Sequence, residues 1–323
     1  MKRILLMVCI LSLLLLTACA PTPAATVETY DDMVVVGFSQ VGAESDWRNA
    51  NTRSMTEALS EQNGYRLIID DAQQKQERQI TAIRNFIHQG VDYIVLAPTT
   101  EKGWDTVLAE AKAAGVPVII VDRMIEVADD SLFTCWIGSD FRKEGDAAVE
   151  WLAQHFGEKP LRIVHLQGNL GSSAQLGRTQ GLDAGLEKHP GWELVYRNTG
   201  DFTQAKGQEL VEALLAQGIQ FDVLYSENDN MAYGAIDALK NADLQPGKDV
   251  TIISFDASHA ALEMVMAGEI SFDVECNPLH GPRVQAIIEK LEAGGKTPKL
   301  TYVEETTFDA ATITREIMDG RGY

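Results

Sequence analysis

The chain has 323 residues, 45% of them hydrophobic, and a formal net charge of −20. That length and apolar content suffice for a large core and point to two lobes rather than one. So acidic a surface, with no basic stripe, excludes nucleic acid as a partner and excludes charge-driven adhesion to anionic lipid.

Met1-Lys2-Arg3 is followed by a nearly unbroken apolar run from Ile4 to Leu16, then by Leu16-Thr17-Ala18-Cys19. A basic start, a short apolar core and small residues before a cut site describe a secretory signal over residues 1–18. The run is too short to span a bilayer, which needs roughly 20 residues. The Leu-Thr-Ala-Cys quartet resembles the lipobox of bacterial lipoproteins, which implies a lipidated Cys19 as the mature N-terminus. Residues 19–32 are rich in Pro, Ala and Thr without apolar periodicity. They read as a lipidated tether with a reach of roughly 20 Å. The expected location is extracytoplasmic, with the membrane contacted through the lipid alone.

Strands and helices then alternate. Val34 to Ser39 reads as a buried strand, Asp46 to Gln62 as a helix and Tyr65 to Asp71 as a strand. Ile80, Ile83 and Ile87 fall at helical spacing, and Gly90 stops that helix. Tyr93 to Ala97 is apolar, Lys102 to Ala114 helical, and Val116 to Val121 and Leu132 to Ile137 are strands. The rhythm restarts with strand runs Leu161 to Leu166, Leu194 to Arg197, Val223 to Tyr225, Val250 to Phe255 and Ile270 to Val274. Helices are expected between them from near Ala174, Gln204, Asp229 and Ser258, and a last one from Gly281 to Ala293 before a run Leu300 to Val303. Continuous apolar strands alternating with helices mean parallel sheets covered on both faces. The fold class is α/β, with two doubly wound parallel-sheet lobes.

In such sheets the polar residues just past strand C-termini face the ligand crevice. Here they are Ser39, Gln40, Asp70, Asp71, Asp122, Arg123, Gln167, Asn228, Asp229 and Asp256. The set has no His or Cys, so no metal or cofactor is expected. Cys135 and Cys276 remain after the signal and lipid cysteines, and sequence leaves open whether they pair.

Several clusters together carry a resemblance. They are Gly37 to Gly42 with Glu44, Ser45, Trp47 and Arg48; Gln73 to Glu77 with Gln79, Ile80 and Ala82; Gly200 to Thr203; Pro246 to Asp249; and Gly320 to Tyr323. With these the chain resembles the periplasmic sugar-binding proteins of the ribose and galactose type, and within them the galactofuranose-binding members. The resemblance runs from Val34 to Tyr323. It implies a type I periplasmic binding protein whose lobes are joined by a three-segment hinge, near Gly138 to Asp140, Asn277-Pro278 and Lys299 to Thr301. The implied N-terminal lobe is 33–138 plus 278–299, and the C-terminal lobe 139–277 plus 300–323.

Trp47 and Arg48 suit a sugar, whose C–H face packs on a ring while its hydroxyls need directional partners. A Trp packed on its own lobe is the alternative. Asp122 and Arg123 can accept from and donate to hydroxyls, as family members do, or form a salt bridge between the lobes. The resemblance adds Arg178 and the stacking aromatic Phe202, against the alternatives of a solvated Arg and a core Phe. Asn228 and Asp256 complete the main set, with Asp229 read as either a ligand contact or a helix cap. Asn277, Asp140, Glu44, Gln40 and Gln74 are further candidates, Asp140 with the alternative of capping the next helix.

The glycine-containing loop Gly168 to Ser173 lacks the spacing of a phosphate or dinucleotide cradle, and no Gly-x-Ser-x-Gly or HExxH occurs. Asp122 and Asp256 are expected to stay ionised beside Arg and Asn, which argues against a glycosidase pair. The reading is a monomeric solute-binding lipoprotein that captures a monosaccharide, galactofuranose foremost, for the permease of an ABC transporter. The alternative is a sugar sensor feeding a membrane chemoreceptor or kinase.

Overall fold

The structure is a computed structural model and describes residues 33–323. The signal over 1–18, Cys19 and the tether to residue 32 lie outside the described residues. Among the described residues no helix is long and apolar enough to cross a membrane.

The first half runs β1 (Val34–Gln40), α1 (Asp46–Ala58), β2 (Tyr65–Asp71), α2 (Gln76–Gln89), β3 (Tyr93–Leu96), α3 (Asp105–Ala113), β4 (Val118–Val121) and β5 (Cys135–Gly138). The second runs α4 (Phe141–Phe156), β6 (Leu161–Gln167), α5 (Ser173–Lys188), β7 (Trp192–Thr199), α6 (Gln204–Ala216), β8 (Val223–Ser226), α7 (Asp229–Asn241), β9 (Thr251–Asp256), α8 (His259–Ala267) and β10 (Phe272–Glu275). The chain closes with α9 (Gly281–Glu292), β11 (Leu300–Tyr302), β12 (Thr307–Asp309) and α10 (Arg315–Asp319).

Two six-stranded sheets result, ordered β11-β5-β4-β3-β1-β2 and β12-β10-β9-β8-β6-β7. All pairs are parallel except β12 against β10. Alternate strand residues feed two cores per sheet, which is why the strands read as unbroken apolar runs. Phe38 and Val95 enter one core of the first lobe with Met55 and Ile288. Ile94 and Leu96 enter the other with Phe86 and Trp104. In the second lobe Leu166 and Ile252 face one core, and Tyr225 and Phe255 the other.

The chain passes between the sheets three times: after β5, after β10 and after β11. The third pass lies at residues 303–306, not at 299–301. Leu300–Tyr302 pairs with β5 in the first sheet, so the expected second-lobe segment 300–323 begins only at β12. The strand is three residues long and partly exposed on a sheet edge, so its apolar run could not reveal which sheet it joins. Three elements escaped the pattern: α4, β12 and α10. The helix expected over 46–62 ends at Ala58, and residues 61–63 form a single tight turn closed by Gly64 in the left-handed region. Cys135 and Cys276 are both free and buried.

Candidate functional site

Each sheet reverses its strand order once, between β1 and β3 and between β6 and β8. The C-terminal ends of strands at such reversals make a crevice. Here the two crevices face each other across a small cavity of about 30 Å³. Backbone and side chains cross between the lobes around it. Asp46 N donates to Asn230 Oδ1 at 3.0 Å, Met124 N to Ser173 Oγ at 2.8 Å, and Glu101 N to Gly171 O at 3.0 Å. Asn169 Nδ2 donates to Gln74 Oε1 at 3.2 Å, which places Gln74 in this seam. The lobes are therefore shut over the cavity.

From the first lobe, Glu44, Trp47, Arg48, Asp122 and Arg123 line it. Ser45 caps α1 by accepting from Arg48 N, and this fixes the first turn that carries Trp47 and Arg48 inward. Arg48 Nη1 donates to Asp122 Oδ2 at 2.9 Å, and its guanidinium lies 4.6 Å over the Trp47 ring. The Trp47 indole donates to Cys276 O at 2.6 Å, and its ring also joins a second-lobe core, so Trp47 is a wedge between lobes as well as cavity wall. Asp122 turns out of β4 with φ of 63°, a strained conformation for a non-glycine residue. The salt bridge weighed as an alternative for Asp122 forms within the first lobe, with Arg48, rather than between lobes.

From the second lobe come Arg178, Phe202, Asn228 and Asp256. Arg178 is 2% exposed, so the solvated alternative fails. Its Nε donates to Glu144 Oε2 at 2.7 Å and its Nη1 to Glu227 O at 2.5 Å, while Nη2 stands 3.6 Å from Asp256 Oδ1. Phe202 faces Arg123 across the cavity, ring centroid 5.3 Å from the guanidinium carbon. Its ring fills the space above Gly168, where a Cβ would come within 1.9 Å of it. Asn228, not Asp229, caps α7, accepting from Met231 N at 3.0 Å. Asp229 points into the lobe, accepting from Ser254 Oγ and from Ser258 N and Oγ.

Besides Gln74 and Asp229, three further expected contacts do not line the cavity. Gln40 stands behind Arg48, accepting from its Nη1 at 3.3 Å and donating to Asn51 and Thr52. Asp140 caps α4 through Lys143 N. Asn277 turns to the hinge, accepting from Leu279 N and Arg283 Nη1. A helix cap or a hinge turn uses the same polar residue types as a ligand contact, so type and position alone could not separate them. Ser45, Phe141, Ala174 and Cys276 line the cavity unforeseen. Phe141 and Cys276 each adjoin a lobe-to-lobe pass, and that adjacency was the available signal.

Burial sets the charge states. It works against the Arg178 cation, but Glu144 and Asp256 outweigh it and hold the guanidinium firmly protonated. Arg48 is likewise opposed by burial and held by Asp122 and Glu44. Arg123 falls to about 10 through burial and then Arg48, and still carries its charge at neutral pH. Asp256 is less readily ionised than its arginine neighbour alone would suggest. Burial drives its carboxyl well above the usual range, against the pull of Arg178. No hydrogen bond within the described residues reaches its oxygens. The result is a cavity of fixed cationic donors, carboxyl acceptors and two aromatic faces, suited to a neutral polyhydroxy ligand.

A family model described as periplasmic binding protein domain matches residues 36–280. The galactofuranose-binding protein YtfQ of Escherichia coli (strain K12) is 39% identical over 289 residues, 88% of this chain and 90% of that one. The ribose import binding protein RbsB of Bacillus subtilis (strain 168) is 28% identical over 305 residues, 89% and 97% of the two chains. Among solved structures, a galactofuranose binding protein is 38% identical with a TM-score of 0.85, covering 89% of this chain and 98% of its own. The arabinose ABC transporter component from Shewanella sp. ANA-3, bound to α- and β-L-arabinofuranose, is 40% identical with a TM-score of 0.84, covering 89% and 95%. A Mycobacterium smegmatis protein in complex with β-D-fucofuranose is 40% identical with a TM-score of 0.83, covering 86% and 92%.

Proposed function

The chain belongs to the periplasmic binding protein family, and on that premise we propose that it is the furanose receptor of an ABC importer, held to the membrane by lipid on Cys19. It is a binding protein and not an enzyme. The observation that carries the sugar reading is the shared cavity: Arg48, Asp122 and Arg123 from one lobe face Arg178, Asn228 and Asp256 from the other, with Trp47 and Phe202 as ring faces. A ligand bridging them stabilises the shut form, and hinge closure presents one joint surface to a permease. The furanose ring form is supported by the furanoses that the relatives at 38–40% identity bind or are named for. Galactofuranose stands first among them because the curated relative at 39% identity is named for it.

A thermal-shift screen tests the ligand class. At a hundredfold excess over Kd, ligand binding adds about 2.7 kcal/mol, or roughly 5 °C in Tm for a protein of this size. D-Galactose, D-fucose or L-arabinose is expected to give that rise. Bound-state NMR with carbon-13-labelled galactose then reads the ring form. Silence from all three sugars sinks the sugar reading; a bound pyranose sinks only the furanose part.

Fractionation of cells tests the anchor. The native chain is expected in the membrane fraction and Cys19→Ala in the soluble extracytoplasmic fraction. An unchanged distribution rejects lipidation at Cys19.

A further inference from the structure

Behind the cavity wall a second group of side chains comes together. A carboxylate oxygen of Glu144, the Sγ of Cys276 and a carboxylate oxygen of Glu305 lie within 4.8 Å of one another. Each stands at a different pass between the lobes: Glu144 in the first turn of α4, Cys276 directly after β10, Glu305 between β11 and β12. Glu144 and Cys276 are buried and Glu305 half-buried. Glu144 gives Oε2 to Arg178, but its Oε1 has no hydrogen-bond partner although the side chain is only 4% exposed. Leaving such a group unmet is costly, more so when it is charged.

We propose that Glu144, Cys276 and Glu305 form a binding site for a borderline-soft divalent cation of the zinc type. One thiolate and two carboxylates suit such an ion and leave a fourth position for water. With Zn–S about 2.3 Å and Zn–O about 2.0–2.2 Å, tetrahedral ligands stand roughly 3.4–3.6 Å apart. The cradle therefore needs to tighten by up to about 1.4 Å. The supporting contacts are in place. Ser139 Oγ donates to Glu305 Oε1 at 2.6 Å and lies 3.4 Å from Cys276 Sγ. Asn277 N donates to the same Glu305 oxygen at 2.7 Å. Arg178 and a divalent ion together balance the three anionic ligands, which makes the buried set neutral. An entry path exists as well: a cavity of about 380 Å³ outside the hinge is lined by both Glu144 and Glu305. Cys276 also forms part of the inner cavity wall. An ion held here ties all three passes to one point, and fixes the carboxylate on which Arg178 rests.

Cadmium chloride is the probe, because a cadmium–thiolate bond shows a charge-transfer band in the ultraviolet. Titrated into the reduced full chain, cadmium is expected to give one equivalent that Cys276→Ser lacks and that zinc chloride displaces. Cys135, the other free cysteine, persists in that variant and controls for other thiols. Glu305→Gln keeps an acceptor for Ser139 and Asn277, and is expected to weaken cadmium at least tenfold while retaining the fold and the sugar-induced thermal shift. No band, a band unchanged in Cys276→Ser, or undiminished affinity in Glu305→Gln overturns the site. The titration uses no sugar, so it stands or falls apart from the furanose reading.

Discussion

Arg178→Met is expected to abolish sugar binding and to cost about 3 kcal/mol of stability. The two effects have different origins. Arg178 brings its remaining donors to the cavity and holds its place through Glu144, the Glu227 carbonyl and the ring faces of Phe255 and Phe141. A hydrogen bond from a charged donor contributes about 1.5–3 kcal/mol, and two of them amount to a loss of at least a hundredfold in Kd. The stability loss comes from what the substitution strands. Burial already pushes Asp256 well above the usual carboxyl range even with Arg178 present, so it contributes little. Glu144 is fully buried, and burial raises its pKa even with Arg178 present; without the arginine it has no cation at hydrogen-bond distance. The double variant Arg178→Met with Glu144→Gln is therefore expected to recover most of the stability and none of the binding. Calorimetric titration and urea unfolding measure the two separately. Affinity near that of the native chain in Arg178→Met rejects the assigned site, and equal instability of the single and double variants rejects the stranded-charge account.

Much of this arrangement could be read from the chain. The run Val118 to Val121 is buried on both faces, so it carries an unbroken apolar signal, and the polar Asp122 and Arg123 beyond it fall into the crevice. Trp47, Arg48, Asp122, Asn228 and Asp256 follow from that one rule or from loop position. Arg178 and Phe202 did not: one is mid-helix and the other follows a loop glycine, and only a family likeness singled them out. Three kinds of information were hidden. Edge pairing was one, because β11 is a three-residue strand whose partner β5 precedes it by more than a hundred and fifty positions. Close approach was another: Gly138 lets Trp136 and the Asp122 carbonyl come within 2.6 and 2.1 Å of where a Cβ would stand, and no pattern marks that glycine from any other. Charge state was the third. Asp256 beside an arginine looks ionised on paper, but burial pushes its carboxyl upward against that arginine, and burial is a property of the whole fold.

Burial also governs His280, and here the result is an acid limit on stability. His280 opens α9, is fully buried beneath Trp47 with ring centroids 6.1 Å apart, and neither ring nitrogen has a hydrogen-bond partner among the described residues. Burial lowers its pKa to about 4; Asp122 pulls upward, while Arg283 and Arg48 add to the lowering. In the unfolded chain a histidine titrates near 6.5. Between these values the unfolded chain binds the proton and the folded chain does not. The contribution of His280 is therefore fully present above about pH 6.5 and is lost as pH falls toward 4, by about 3 kcal/mol over the window. Buried carboxyls act in the opposite sense. Glu305, pushed up to about 8 mainly by burial, favours the folded state at low pH and loses that contribution as pH rises through 8. A stability curve of the native chain mixes both, so the difference between two chains is the informative quantity. His280→Leu is close in volume and removes two unmet polar atoms, so it is expected to equal or exceed the native chain in stability at pH 7. Its advantage should then widen by about 3 kcal/mol as pH is lowered from 7 to 4 in urea unfolding. Curves that stay parallel across that range show that His280 finds a partner for its proton, and the acid limit then belongs to another group.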